Sequence, residues 1–351
     1  MVFRAPTIAF ISAFMNLYPA SATAKAPARA YPTPPALHVK GNLLQTAQGK
    51  TIRLTGVNIP SLEWSNEGDG KILESVRVAT EEWHSNAIRL PVCQDRWFGK
   101  AAGQTDGGKA YRAVVDSLIQ AVSRRKAYLL LDLHWSDAGV WGSHLGQHKM
   151  PDANSTAFWK DAAARYANHP AVLFDLYNEP RDVDWKVWRD GGHVDEEDKG
   201  TKSAYNTPGL QGLLDVVRAT GARNVIVAGG LDWAYDLTGV VNGYALTDRR
   251  GNGVVYATHI YPWKTQWDQK VGVALAGHPV IVSEVGCEPD PEQEDPATWA
   301  PKVLAYIQSH RLNWTAWCFH PDASPRLLAD WDYHPTPYWG APVKEALATG
   351  R

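Results

Sequence analysis

Two glutamates stand at the ends of apolar runs in the 351-residue chain, Glu179 after Leu173-Phe174-Asp175-Leu176-Tyr177-Asn178 and Glu284 after Val280-Ile281-Val282-Ser283. Two carboxyl groups meeting in one cleft are the equipment of glycosidic bond hydrolysis. One is protonated to donate to the leaving oxygen, and the other is ionised to attack the anomeric carbon. Other apolar runs also end in polar or aromatic groups. Arg89 sits in Asn86-Ala87-Ile88-Arg89-Leu90-Pro91, His134 follows Leu129-Leu130-Leu131-Asp132-Leu133, His259 and Tyr261 end the run from Val254, and Trp317 ends Asn313-Trp314-Thr315-Ala316. Arg89 and the Tyr261 hydroxyl would hold Glu284 as the anion, whose charge would then favour the protonated form of Glu179. Taken singly, each has a structural reading: Arg89 or Glu284 as a salt-bridge partner, the histidines as core residues, Trp317 and Tyr261 as filling. Their joint position at strand ends is what points to chemistry.

A closed parallel sheet would position them. Eight strand-like runs recur, Ile52 to Asn58, Asn86 to Val92, Tyr128 to His134, Val172 to Tyr177, Asn224 to Ala228, Val254 to Tyr261, Val280 to Glu284 and Asn313 to Cys318. Between the second and third, Tyr111, Val114, Val115, Leu118, Ile119 and Val122 share one helical face. Thr207-Pro208 and Asp295-Pro296 read as helix starts, and Gly221 and His169-Pro170 as stops. Eight strands alternating with helical segments predict an α/β chain of the (β/α)8 class, a TIM barrel in a single domain over 37–351, with its active site at the C-terminal ends of the strands. A doubly wound sheet is the alternative, but no GxGxxG stands at a strand-to-helix turn and no GxxxxGK[ST] occurs.

Residues 1–24 have the layout of a secretory signal peptide, with Arg4, an apolar run from Ile8 to Tyr18 and small residues at Ala20, Ala22 and Ala24. Residues 25–36 read as an extended tether rich in proline and alanine. A secreted protein without stable membrane insertion is expected, with a monomer as the default state. The 35 Lys+Arg and 37 Asp+Glu give a net charge of -2, which excludes a strong field for nucleic acid. Cys93, Cys287 and Cys318 form no zinc-ligand spacing, His144 and His148 lack an HExxH glutamate, and no cofactor or metal is expected. The acidic run Asp195 to Asp198 lacks a calcium loop's ligand spacing and reads as a solvated turn within the long segment Arg181 to Asn206.

On the motif Leu176-Tyr177-Asn178-Glu179-Pro180, together with His259-Ile260-Tyr261 and the glutamate of the seventh strand, the sequence from about Leu37 to Leu347 resembles glycoside hydrolase family 5, the cellulase family of retaining barrel glycosidases. The resemblance implies Glu179 as acid/base and Glu284 as nucleophile. Arg89 and Tyr261 would contact the nucleophile, and Asn178 would bond the sugar 2-hydroxyl. His134 and His259 would line the cleavage subsite, with Trp317 under the sugar ring. Where many members have Gly-Glu-Phe-Gly, this chain has Ser283-Glu284-Val285-Gly286.

The chain contains 16 tryptophans. Sugar C–H faces pack on such rings, and Trp317, Trp263 and Trp141 are expected subsite platforms, whereas Trp159 and Trp299 fall in helices and read as packing. The expected partner is a polysaccharide or oligosaccharide, cleaved as a β-1,4-glucan. Mannan, xyloglucan or another β-glycan, transglycosylation, and a non-catalytic carbohydrate-binding barrel stay open. Cys287 and Cys318 follow adjacent strands, and both a disulfide and free thiols stay open there.

Overall fold

A strand in a closed barrel turns alternate side chains inward, and the expected runs do so here. The structure is a computed structural model that describes residues 33–138, 146–198 and 201–349. Its eight parallel strands are β1 (Thr55–Asn58), β2 (Ala87–Cys93), β3 (Tyr128–Trp135), β4 (Val172–Asp175), β5 (Ile226–Gly229), β6 (Val254–Ile260), β7 (Val280–Val285) and β8 (Asn313–Ala316). They close in chain order, with β8 pairing β1 through Trp314↔Thr55. All eight runs are present, most with ends trimmed by a few residues. The expected signal peptide, most of the tether and Trp141 lie outside the described residues.

The inward positions form two layers. Ala87, Leu130, Leu173, Val227, Val255 and Ile281 build an apolar layer, joined by Leu37 and Leu44. Those two residues belong to an unexpected antiparallel hairpin, Leu37–Lys40 with Leu43–Thr46, which caps the N-terminal end of the barrel. Two residues further along the strands the same parity places Arg89 after Ala87, Asp132 after Leu130 and Asp175 after Leu173, all fully buried. The polar layer is therefore a consequence of strand period.

Outside, the helix Lys109–Arg124 buries Tyr111, Val115, Leu118, Ile119 and Val122, as the periodicity predicts. Asp295 caps the helix Pro296–Ser309 through the Ala297 N–H at 2.8 Å. Trp159 and Trp299 are buried packing, as expected, and so are Trp188 and Trp339. Gly56 on β1 is needed for close approach, because a Cβ there would lie 1.7 Å from the Ala87 carbonyl oxygen. The segment expected as a solvated turn is instead a second antiparallel hairpin, Gly192–Asp198 with Thr201–Thr207. Its alternation, with Val194 and Glu196 buried between exposed His193, Asp195 and Glu197, is that of a half-buried strand. Charged residues on both faces hid it.

All three cysteines are free and buried. Cys318 directs its thiol to the Ala323 carbonyl at 3.1 Å, inside the loop after β8, so the Cys287–Cys318 disulfide is not formed. Among the described residues no helix is long and apolar enough to cross a membrane.

Candidate active site

Arg89 is the hub of the polar layer. Its Nε donates to Asp175 Oδ2 at 2.8 Å, Nη1 to Glu284 Oε1 at 2.7 Å and to Asn58 Oδ1 at 3.2 Å, and Nη2 to Asn178 Oδ1 at 2.8 Å. Asp132 Oδ2 lies 3.1 Å from Nη2. One guanidinium thus faces three buried carboxyl groups. Burial outweighs its pull on the aspartates and pushes Asp132 and Asp175 each up to about 7.

Glu284, at the end of β7, accepts from the Tyr261 hydroxyl at 2.6 Å on its other oxygen. Both oxygens of this carboxylate are fixed by donors, leaving it oriented toward the barrel mouth. Glu179 leaves the mouth beyond β4, where the Leu176 N–H bonds Val227 O and the Asn178 N–H bonds Leu133 O, at 3.0 and 3.1 Å. Its Oε1 meets His259 Nδ1 at 2.9 Å. Burial raises the Glu179 carboxyl above the ordinary carboxylate value, against the charges of nearby Arg181, Arg89 and Lys264. The rise in Glu179 therefore comes from desolvation rather than from the charge of Glu284.

His259 is held neutral, its pKa pushed down to about 3 by burial. Its Nε2 pairs with the Ser283 hydroxyl at 3.0 Å. Ser283 thus supplies this imidazole with a partner that a glycine at that position could not. His134, also held down by burial to about 4, pairs through Nδ1 with Asp132 Oδ2 at 2.6 Å and stacks on Trp317 at a centroid distance of 5.4 Å. Trp317 is braced from behind by Trp339, whose Nε1 donates to the Trp317 carbonyl at 2.8 Å. Asn178 is oriented on three sides: Oδ1 accepts from Arg89, while Nδ2 donates to Gln147 Oε1 at 2.9 Å and lies 3.3 Å from His134 Nε2.

The structure therefore joins Arg89, His134, Asn178, Glu179, His259, Tyr261 and Glu284 in one network, with Trp317 beside it. Trp263 stacks on Tyr261 at 5.0 Å and 3° and is 58% exposed, a free ring face at the mouth. Residues not singled out from sequence are Asn58, Asp132, Asp175, Gln147 and Ser283. The signal for the two aspartates was a charge in the middle of an apolar run at the parity of known inward positions. Trp64 also lies among aromatic neighbours, 6.3 Å from Trp135 and 5.8 Å from His320, which meets Trp331 at 4.7 Å. Trp233, 43% exposed, lies over Arg181 at 4.0 Å on a turn where Asp232, Trp233 and Ala234 all have left-handed φ.

Glu179, His259 and Glu284 offer one ligand atom each within 4.8 Å of one another. A cation there would face the Arg89 guanidinium at a carboxylate whose two oxygens already accept hydrogen bonds, so the trio fits proton transfer better than metal binding. The same 4.8 Å bound places one oxygen of Glu179 near one of Glu284 across the mouth.

A model of the cellulase family, glycosyl hydrolase family 5, matches residues 45–323. The chain belongs to glycosyl hydrolase family 5. The endoglucanase MaCel5A of Microbulbifer sp. (strain ALW1) is 23% identical over 297 residues, which cover 82% of this chain and 51% of that protein. This chain thus spans about half of MaCel5A's length. An endoglucanase of Paenibacillus polymyxa is 25% identical over 363 residues, covering 88% and 85%. The β-glucanase SdGluc5_26A from Saccharophagus degradans, in its crystal structure with cellotetraose, superposes with a TM-score of 0.70 at 26% identity, covering 90% of this chain and 94% of that one. The family 5 chain is accordingly a glycoside hydrolase on a (β/α)8 barrel.

Proposed function

We propose that this family 5 member is a secreted, retaining endo-glucanase that cleaves β-1,4-linked glucan, with Glu284 as nucleophile and Glu179 as acid/base. The observation that carries the reading is the close approach of the two carboxylates, with atoms within 4.8 Å. Retaining enzymes hold their carboxyl groups about 5–5.5 Å apart, whereas inverting ones leave roughly 6.5–9.5 Å for a water.

In the first step Glu284 attacks the anomeric carbon and forms a glycosyl ester. The glycosidic C–O electron pair passes to the leaving oxygen, which takes the proton of Glu179. In the second step Glu179, now ionised, removes a proton from water, whose oxygen attacks the same carbon and releases the Glu284 carboxylate. Arg89 and Tyr261 aim Glu284 through hydrogen bonds to its two oxygens, and neutral His259 holds the Glu179 carboxyl through Nδ1. Trp317 and Trp263 are the rings for sugar faces. Glucan as the polymer is supported by the relatives described as endoglucanases and by the cellotetraose bound to the similar β-glucanase.

The test is reducing-end release on cellulose derivative, mixed-linkage glucan, xyloglucan, mannan and xylan, with Glu284→Ala in parallel. Cleavage of β-1,4-glucan above the other polymers by wild type alone supports the reading. Preference for mannan or xyloglucan replaces the substrate, and binding without cleavage of any polymer sinks the assigned chemistry.

A further inference from the structure

The hairpin Gly192–Thr207 lies outside the barrel, yet it presents a carboxylate that is only 6% exposed, Glu196. All of that group's partners converge on one short segment and its own hairpin. Glu196 Oε1 pairs with His148 Nδ1 and accepts from Ser203 Oγ at 2.9 Å, while Oε2 accepts from the Lys149 N–H at 2.9 Å. Two residues further along the returning strand, the Tyr205 hydroxyl accepts from the Met150 N–H at 3.0 Å and donates to the Met150 carbonyl at 2.8 Å. The hairpin therefore grips residues 148–150 through the His148 ring and the main chain of Lys149 and Met150.

On the opposite side, residues 147–149 are bonded to the stretch that carries the candidate catalytic motif. Arg181 Nη2 donates to the Gln147 carbonyl at 2.6 Å, and the Arg181 N–H bonds Lys149 O at 3.0 Å. The Tyr177 hydroxyl donates to the His148 carbonyl at 2.9 Å. Gln147 closes the chain of contacts, its Nε2 donating to the Glu179 carbonyl at 3.1 Å and its Oε1 accepting from Asn178 Nδ2 at 2.9 Å.

We propose that Glu196 is a positioning residue for the hydrolysis, acting through His148 and the Lys149 N–H to hold the Gln147 amide against Asn178 and the main chain of Glu179. A carboxylate removed from water needs strong compensation, and here every compensating group except Ser203 belongs to the segment that bears on the motif. His148 is suited to the task because three carboxyl groups surround it: Glu196, Asp137 at 3.8 Å and Asp152 at 3.9 Å. These anions raise its pKa against the effect of burial, while the partnership holds Glu196 below the usual carboxylate range. The inference rests on Asn178 and Glu179 being the working motif.

The experiment compares wild type, Glu196→Ala, Gln147→Ala, the double variant and Glu284→Ala on a soluble β-1,4-glucan, whose leaving group needs the proton, at 25 °C, with melting temperature recorded for each. Misplacing a catalytic group by about an ångström costs up to roughly 100-fold in rate. Glu196→Ala is expected to lower kcat by about 10- to 100-fold with KM changed less than about threefold, in a protein still folded at the assay temperature. Because both act along one chain of contacts, the double variant should lose little beyond Gln147→Ala alone. Glu196→Gln, which keeps the shape and a carbonyl acceptor, should recover part of kcat, and it carries the comparison if the alanine variant does not fold. Unchanged kcat in Glu196→Ala, or losses that multiply in the double variant, overturn the proposal. Activity retained in Glu284→Ala would instead overturn the assigned chemistry, whatever Glu196 does.

Discussion

Desolvation raises the Glu179 carboxyl above the ordinary carboxylate value. In the proposed mechanism the free enzyme needs Glu179 protonated, so kcat/KM falls as pH rises through that raised pKa. Glu179→Gln should remove this alkaline limb and lower turnover of polymer by about 10²–10⁴-fold. Turnover of an aryl glycoside whose leaving group needs no proton should fall far less in its first step. An alkaline limb that survives in Glu179→Gln would assign it to another group. Beneath the pair, the buried layer makes a second prediction. Asp132 and Asp175 are pushed up to about 7 from an unfolded value of about 3.9, so the stability each contributes is complete at acid pH and declines as pH rises toward 7. His134 and His259 are pushed down to about 4 and about 3 from about 6.5, so their contribution is lost as pH falls below 6.5. Between about pH 4.5 and 6.5 the two trends oppose, each near 1.4 kcal/mol per pH unit per group. Asp175→Asn removes one declining contribution, and its unfolding free energy relative to wild type should rise with pH by about that slope. Urea unfolding at several pH values across that window checks it, and a constant offset would mean that Asp175 is already ionised in the folded protein.

The eight barrel strands were legible because strands buried on both faces read as apolar runs, and residues such as Glu284 and Tyr261 were legible because they end such runs. The two hairpins were not. Leu37–Lys40 and Leu43–Thr46 bury few apolar side chains, and Gly192–Asp198 carries Asp195, Glu196 and Glu197 in succession, so charge obscured the alternation. Gln147 was hidden for another reason: it lies in a loop, and its role depends on which segments fold against it. Asp132 and Asp175 were in view within their runs, but their meaning depends on Arg89 lying between them. Gly56 shows a constraint that no pattern marks. With a Cβ 1.7 Å from the Ala87 carbonyl oxygen, Gly56→Ala must separate β1 from β2, where Gly56 pairs Ala87 and Asn58 pairs Arg89. The loss should exceed about 3 kcal/mol, above the ordinary cost of overpacking, as read from the urea midpoint. A loss below about 1 kcal/mol would mean that the strands part without cost.

At the scale of the whole molecule, 35 cationic and 37 anionic side chains nearly cancel, and the concentrated charge is buried around Arg89 rather than displayed. Such a molecule has no long-range field with which to draw in a charged polymer. Trp263 and Trp233 are exposed, and in the proposed function the contact of such rings with a sugar face is short-ranged and indifferent to counterions. Buried ion pairs are also screened far less by salt than surface ones. Hydrolysis of an uncharged soluble glucan should therefore change less than about twofold in kcat/KM between 20 mM and 500 mM sodium chloride, over which the Debye length falls severalfold. A protein that neutralises several charges of a polyanion loses about 10³–10⁵ in affinity over a narrower range. A steep fall with salt on the neutral polymer would show that solvent-exposed ion pairs, not the buried network around Arg89, hold the site in place. A flat response is the one expected of a site whose ion pairs, Arg89 with Asp175 and Glu284, are buried away from counterions.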